Sequence, residues 1–224
     1  MHIHYARFQN RTEAGRQLAA RLATCINPSD VLVLALPRGG VPVGYEVAKA
    51  LNAPLDVCLV RKLGVPGHKE LAMGAIASGG VRVLNYDVVS WLNISSKTID
   101  AVAARELKEL QRRDRAYRGN RPQPVIRDRF VILVDDGIAT GSTMRAAISV
   151  LTPQQPSRLM IAVPVAPPET CKALSAEVDD VICLLTPDVF YAIGLWYEDF
   201  SQTTDEEVRE RLANSTVSRP HSVA

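Results

Sequence analysis

Residues 131–143 have the sequence Val131-Ile132-Leu133-Val134-Asp135-Asp136-Gly137-Ile138-Ala139-Thr140-Gly141-Ser142-Thr143. An uninterrupted run of four apolar residues is typical of a parallel strand that is buried on both faces of a sheet. Two acids follow the run at once, and a loop of glycine and hydroxyl residues leads from them into a segment with helical spacing. Because ligands bind beyond the carboxyl ends of strands in open α/β sheets, we expect a binding site at this loop.

The residue types of this loop indicate which ligand it would bind. Gly137 and Gly141 allow the backbone to turn sharply and to approach a ligand closely. Free N–H groups at the start of the helix, together with three hydroxyl side chains, can bind a phosphate dianion. The paired carboxylates cannot hold a phosphate, but they can accept hydrogen bonds from sugar hydroxyls or hold water around Mg²⁺. A loop that can bind a phosphate lies next to carboxylates that can bind a sugar diol, which suggests that the ligand is a ribose 5-phosphate.

Apolar runs that alternate with amphipathic stretches predict the rest of the fold. Strands are expected at Val31–Leu36, Leu55–Val60, Phe130–Val134, Arg158–Val163 and Asp180–Leu185, with a hairpin where Ala75–Ala77 and Val81–Leu84 flank Ser78-Gly79-Gly80. Helices are expected at Arg11–Thr24, Val43–Leu51, Ser96–Tyr117, Ser142–Leu151 and Glu169–Leu174, with a short one after Thr204. This order predicts an α/β fold with a doubly wound, mostly parallel sheet, and we expect residues 1–224 to form one domain.

The composition excludes several classes of protein. Of the 224 residues, 47% are hydrophobic and 22% are charged, which excludes a disordered or fibrous chain. The longest apolar runs are far shorter than the roughly 20 residues that a bilayer span requires, so we expect no membrane partner. The net charge of +2 is too balanced to indicate nucleic acid. The four cysteines form no C-x-x-C pair and no signal sequence precedes them, so we expect a cytoplasmic protein.

One segment departs from this balanced charge. Nine basic and four acidic residues lie between Arg105 and Arg129. A solvated helix face, a surface for a partner and an electrostatic funnel for an anionic substrate are all compatible with this run. The sequence does not decide between the three, and it assigns no role to residues 1–27.

Residues 131–143 resemble the phosphoribosyl diphosphate (PRPP) signature of type I phosphoribosyltransferases, in which an apolar strand, two acids and a loop ending in Thr-Gly-x-Thr follow one another. They match neither a Walker A loop nor a dinucleotide-binding glycine turn. The resemblance implies that the 5-phosphate binds at Ala139–Thr143, and that Asp135 and Asp136 hold the ribose hydroxyls and Mg²⁺. The full set of residues that it assigns to PRPP is Arg38, Gly39, Gly40, Asp135, Asp136, Gly137, Ile138, Ala139, Thr140, Gly141, Ser142 and Thr143.

Two further segments resemble loops of the same family. Leu36-Pro37-Arg38-Gly39-Gly40 follows the first strand, as the pyrophosphate loop of the family does, and that loop often contains a non-proline cis peptide. The segment from Arg61 to Glu70 resembles a loop of adenine phosphoribosyltransferase, although its spacing differs. We therefore expect residues 61–74 to be a mobile loop without regular structure that closes over the diphosphate. Lys62 or Arg61 would neutralise the leaving group, and Glu70 could act as acid or base.

Residues 186–203 contain five of the twelve aromatic residues of the chain. Enzymes of this family have a variable hood that covers the acceptor base, so the resemblance implies that Trp196 and Tyr197 stack on the acceptor. A small hydrophobic core or a dimer interface would also explain such a cluster.

The resemblance implies a Mg²⁺-dependent transfer of a phosphoribosyl group from PRPP to a nitrogen of a nucleobase-like acceptor, by a protein that we expect to be a homodimer. Its catalytic residues would be Arg38, Lys62, Glu70, Asp135 and Asp136. Ala139 stands where enzymes for 6-oxopurines have an aspartate that acts on the purine, which argues against those acceptors. Two alternatives are a PRPP-sensing regulator that binds nucleic acid or protein without catalysis, and a hydrolase of PRPP or nucleotides.

Overall fold

A computed structural model of the chain describes residues 7–25 and 30–215. Its strands are β1 (Val31–Ala35), β2 (Leu55–Val57), β3 (Val60–Val65), β4 (His68–Ala77), β5 (Arg82–Leu84), β6 (Phe130–Val134), β7 (Arg158–Val165) and β8 (Asp180–Leu185). Its α-helices are α1 (Arg11–Ala23), α2 (Gly40–Ala50), α3 (Tyr86–Trp91), α4 (Ser96–Arg118), α5 (Ser142–Leu151), α6 (Pro168–Leu174) and α7 (Asp205–Asn214).

The central sheet consists of five parallel strands in the order β2-β1-β6-β7-β8. In its middle, β1 and β6 pair in register from Val31 opposite Phe130 to Ala35 opposite Val134. The N–H of Leu36 donates to the carbonyl of Val134 at 2.8 Å, so the two strands end side by side. This register brings the loop after β1 next to the two acids after β6.

Both faces of this sheet are covered by helices, as a doubly wound fold requires. Side chains alternate along a strand, so Val31 and Val33 lie in a core with residues of α1, α2, α4 and α7. Leu32 and Leu34 point to the opposite face and pack with residues of α5 and α6. The predicted α/β class and mostly parallel sheet are therefore confirmed.

The prediction is wrong between residues 58 and 74. The expected strand Leu55–Val60 ends at Val57, and β3 begins a separate antiparallel sheet of order β3-β4-β5. Residues 61–74, expected to lack regular structure, form most of the β3–β4 hairpin, with irregular register around Gly64. The hairpin forms because Leu63, Val65 and Met73 are buried in the main core, and neither glycine nor charged neighbours prevent that burial.

The remaining elements follow the sequence more closely. The predicted hairpin is confirmed by antiparallel pairing of Ala75 with Val83, whereas the short α3 was not expected. Helix α4 begins after its cap Ser95 and ends at Gly119, whose φ of +59° suits glycine. Within the described residues, none of the helices is long and apolar enough to cross a membrane.

A buried arginine joins α4 to the edge of the central sheet. The Arg118 side chain is 4% exposed, and its Nε donates to the Asp56 carboxylate at 2.8 Å. Its Nη2 donates to the carbonyl of Val57 at 2.5 Å, and it also pairs with Asp114. The guanidinium thus satisfies charged and polar groups at the end of β2, where the packing of α4 against the sheet limits their access to water.

We expect Arg118→Met to lower the free energy of unfolding by about 3–5 kcal/mol, because it leaves the Asp56 carboxylate largely buried without a cation. Urea denaturation measures this loss. Arg115→Met on the exposed side of the same helix is the matched control and should change stability by less than about 0.5 kcal/mol. Equal losses for the two variants would show that the buried ion pair is not what stabilises this junction.

Candidate active site

The loop between β6 and α5 presents polar side chains to solvent. Gly141 has a φ of +74° and immediately precedes α5, which positions the start of the helix at the sheet edge. Thr140, Ser142 and Thr143 carry its hydroxyl groups, and Thr140 and Thr143 are exposed. The carbonyl of Ala139 accepts a hydrogen bond from the Thr170 hydroxyl of α6 at 3.0 Å, which holds the loop from behind. The loop can therefore offer its hydroxyls and the N-terminus of α5 to an anion.

The loop after β1 lies directly against the two acids. Its Pro37–Arg38 peptide is cis, in agreement with the expectation from the family. A Cβ on Gly39 would lie 2.0 Å from Oδ2 of Asp136, and one on Gly40 would lie 2.8 Å from the carbonyl of Val134. Only glycine allows the loop after β1 to lie this close to the residues after β6. The predicted PRPP residues of both loops therefore form one continuous surface.

The two acids have different surroundings. Asp135 is partly exposed, and its Oδ1 accepts a hydrogen bond from the N–H of Asp136 at 2.9 Å. Burial and the neighbouring carboxylate of Asp136 raise the pKa of Asp135 well above its usual range. Asp135 is nevertheless more exposed than Asp136, and none of the ion pairs among the described residues includes it.

Asp136 is 8% exposed and is paired with an arginine of the first helix. Nε of Arg11 donates to its Oδ2 at 2.7 Å. The hydroxyl of Tyr197 donates to the backbone carbonyl of the same aspartate at 2.6 Å. Sequence reasoning missed Arg11, since 125 residues separate it from its partner. The only signal was its place at the start of a predicted helix.

The segment after β8 covers the end of the sheet, and we call residues 186–203 the cover. Trp196 and Tyr197 are 6% and 3% exposed and pack in a small core with Phe8 and Val165. Their burial argues against the predicted stacking on an acceptor and supports the alternative of a small hydrophobic core. The exposed large side chains of the cover are instead Val189, Tyr191, Leu195 and Phe200.

A basic cleft of about 520 Å³ lies between the hairpin, α4 and the start of α5. Its charged lining residues are Arg61 and Lys62 of β3 and Arg105, Glu106 and Arg113 of α4, and Ser142 and Thr143 complete its polar wall. Part of the basic run thus faces the site, which favours the interpretation as a funnel for an anion. Lys62 lines the cleft from a strand and not from the expected loop, whereas the side chain of Glu70 is outside the described part of the structure.

Glu106 organises two of these cations. Its carboxylate accepts hydrogen bonds from Nε of Arg61 at 2.8 Å and from Nε of Arg105 at 3.1 Å. Burial alone would raise the pKa of Glu106, but the hydrogen bonds from the two arginines outweigh it and lower that pKa. The carboxylate therefore stays ionised and holds both guanidinium groups at the cleft.

Arg38 is also held by groups outside the predicted motifs. Its Nη1 lies 3.4 Å from Oδ1 of Asp205, at the start of α7, and the same oxygen accepts a hydrogen bond from the Tyr117 hydroxyl at 2.8 Å. Burial and this bond raise the pKa of Tyr117 to about 12, while the bond from Tyr117 and the charge of Arg38 lower the pKa of Asp205. Asp205 and Tyr117 thus fix the one cation of the loop after β1.

Comparison with known proteins agrees with this geometry. A family model described as "Phosphoribosyl transferase domain" matches residues 4–198. Two proteins from strains of Mycobacterium tuberculosis, each named "Putative phosphoribosyl transferase", are 49% identical over 201 residues, or 90% of this chain and 45% of each relative. The chain therefore spans less than half the length of these relatives. The crystal structure of the protein TT1426 from Thermus thermophilus matches with a TM-score of 0.86 and 42% identity, covering 93% of this chain and 99% of that one.

We expect Gly39→Ala to destabilise the protein by about 1–3 kcal/mol or more, because its new methyl group would overlap the held carboxylate of Asp136. Thermal or urea unfolding measures the cost. In an Asp136→Ala background the obstructing atoms are gone, so the same glycine substitution should cost less than about 1 kcal/mol. An equal loss of stability in both backgrounds would show that the Asp136 carboxylate is not what excludes a Cβ at Gly39.

Proposed function

The chain belongs to the phosphoribosyltransferase family, and on this basis we propose that it transfers a 5-phosphoribosyl group from PRPP to a nitrogen of a nucleobase-like acceptor and releases diphosphate. The observation that carries the proposal is the register of β1 and β6, which ends the two strands together. It joins a glycine loop, a hydroxyl loop and a carboxylate in one surface.

Each part of PRPP has a matching surface in this arrangement. The 5-phosphate would bind at Ala139–Thr143, where hydroxyls and the start of α5 face solvent. The ribose would lie over Asp135, which accepts hydrogen bonds from its hydroxyls. The diphosphate would lie between the loop at Gly39 and the basic cleft, where Arg61 and Lys62 carry positive charge.

The reaction follows from these positions. The bond between C1 of the ribose and the diphosphate oxygen breaks, and its electron pair stays on the diphosphate. The lone pair of the acceptor nitrogen then forms the new bond to C1, and the nitrogen loses its proton to a base. Asp135 would stabilise the positive charge that develops on the ribosyl ring, while Arg61 and Lys62 would stabilise the charge on the leaving group. Glu70 remains a candidate for the acid or base.

Magnesium fits this site when it arrives with the substrate. Within the described part of the chain, no three His, Cys, Asp or Glu side chains are grouped so that they could hold a metal ion. Mg²⁺ is commonly bound by one or two carboxylates together with substrate phosphates, and Asp135 would supply such a carboxylate. When bound, Mg²⁺ would neutralise charge on the diphosphate. The pairing of Asp136 with Arg11 leaves that acid less able to take part.

The acceptor would enter beside the cover. Ile193 packs against Gly137, where a Cβ would lie 2.7 Å from its Cγ2. Tyr191 is 84% exposed in the same segment and offers an aromatic face, which Trp196 and Tyr197 do not. We therefore propose a planar acceptor that meets Tyr191, and Ala139 still argues against a 6-oxopurine. We also propose that the protein forms a homodimer. We propose a cytoplasmic location because all four cysteines are free.

The test is a panel of purines, pyrimidines and orotate with PRPP and Mg²⁺, followed by release of diphosphate. Release that depends on one class of acceptor and stops with a chelator supports the proposal. PRPP should also raise the Tm, since a ligand at about a hundred times its Kd stabilises by about 2.7 kcal/mol. Release without acceptor would indicate a hydrolase instead. PRPP binding without any turnover would favour the sensor, for which the exposed Arg105 and Arg112 of α4 offer a basic face.

We expect Asp135→Asn to lower the turnover about a hundred- to a thousandfold, because it removes the charge that faces the ribosyl centre. The free energy of unfolding should change by less than about 1 kcal/mol, since a partly exposed acid without a paired cation leaves no buried partner behind. Steady-state kinetics and urea denaturation measure the two effects. Asp87→Asn, at an exposed acid of α3, is the control. Normal turnover in Asp135→Asn would show that this acid is not part of the active site.

We expect Arg105→Ala and Arg113→Ala each to raise the KM for PRPP by about three- to tenfold, because each removes one solvent-accessible cation from the diphosphate end. The increase should shrink at high salt, where charges are screened. Arg115→Ala is the control, since Arg115 lies on the same helix but outside the cleft. The same KM in all four proteins would mean that the cleft does not receive the substrate.

A further inference from the structure

We propose that Arg11 is a positioning residue of the site, which holds the Asp136 carboxylate and the cover in place beside Asp135. This inference rests on the proposed function. It assigns a role to the first helix, which the PRPP motifs do not include, and it gives unequal roles to two acids that are adjacent in the sequence.

The first observation is that Arg11 is itself fixed. It is the first residue of α1, and the side chain of Asn10 caps this helix by accepting a hydrogen bond from the N–H of Glu13 at 3.0 Å. The carboxylate of Glu13 in turn accepts one from the N–H of Gln9 at 2.8 Å. These two bonds define where the helix begins, and therefore where the arginine side chain starts.

The second observation is that the guanidinium makes three kinds of contact at once. Its Nε donates to Oδ2 of Asp136 at 2.7 Å, and its Nη1 donates to the carbonyl of Ser201 at 2.7 Å. Its central carbon lies 3.8 Å from the centre of the Phe200 ring. One side of the group therefore binds the acid and the other binds the cover, and a lysine could reproduce the charge but not this planar fork.

The third observation closes the connection between the acid and the cover. The ring of Tyr197 lies 5.0 Å from that of Phe200, and its hydroxyl donates to the backbone carbonyl of Asp136. Asp136 is thus held through its side chain by Arg11 and through its backbone by the cover. Movement of the arginine would disturb the cover and the acid together.

The burial of the pair indicates how firmly Asp136 is held. The side chains of Arg11 and Asp136 are 12% and 11% exposed. The carboxylate also touches the loop after β1 so closely that Gly39 has no room for a Cβ. Opening the buried ion pair would leave an uncompensated charge, so Oδ2 of Asp136 stays bound to Arg11. Asp135, which is partly exposed, has no such partner among the described ion pairs.

The test is a double-mutant cycle with Arg11→Met, Asp136→Asn and the double variant, read as the KM for PRPP, kcat and Tm. If Arg11 acts through Asp136, each single variant should raise the KM at least about tenfold, and the double variant should be no worse than the worse single one. The fold-loss caused by Asp135→Asn should instead multiply with that of Arg11→Met. Arg11→Lys should recover only part of the loss. Arg16→Met, at an arginine of α1 that is 69% exposed, is the control and should leave the KM unchanged.

Two results would overturn the inference. The first is an Asp136→Asn variant that weakens PRPP binding by the same factor in the Arg11→Met background, which would mean that Asp136 acts independently of Arg11. The second is an Arg11→Met variant with an unchanged KM. If Arg11→Met folds poorly, the double variant should have the higher Tm, because it has no buried orphan charge; a lower Tm would also count against the pairing. Failure of the wild type to bind PRPP would refute the proposed function, while the Tm cycle would still test the pairing.

Discussion

A negative charge buried at the end of a central strand constrains much of this structure. Asp136 lies just beyond the end of β6, and the close-packed loop after β1 leaves its carboxylate little access to water. Such a charge is tolerated only when it is paired and hydrogen-bonded. Arg11 supplies the pairing, which requires α1 to begin at this edge of the sheet, and the same arginine binds the cover through Ser201 and Phe200. The positions of the first helix and of the cover thus both depend on one carboxylate.

At the neighbouring loop the charges of the second ion pair are reversed. Here the residue of the site is the cation and the residue of the helix is the anion. Arg38 would meet the diphosphate, and Asp205 at the start of α7 neutralises it while Tyr117 orients the aspartate. The first and last helices of the described chain therefore each pair with one charged residue of the site. Both pairs form within the protein itself. A charged ligand must then compete with Asp205 for the one arginine of its own loop.

The core strands and the site loops could be predicted because local sequence determines them. The apolar run before Asp135 identifies a buried strand. Gly39 identifies a place where the backbone approaches another group closely, and Gly141 identifies the start of a helix. Each of these signals comes from adjacent residues alone. Residues 61–74 could not be predicted in the same way, since their strand character depends on burial of Leu63 and Met73 in a core built from distant elements. Arg11 escaped prediction for the same reason. The resemblance misplaced Trp196 because family position does not report whether a ring is buried.

The unequal surroundings of the two acids explain how one sequence motif can serve both the fold and the chemistry. Asp136 has a dedicated arginine, so it is already paired and it stabilises the arrangement of loop, helix and cover. Asp135 lies beside it without such a partner among the described ion pairs, and burial and the adjacent carboxylate raise its pKa. A cationic group placed over Asp135 would relieve that repulsion, and a ribosyl centre that gains positive charge is such a group. The acid that the fold leaves unsatisfied is thus the one suited to stabilise a developing charge.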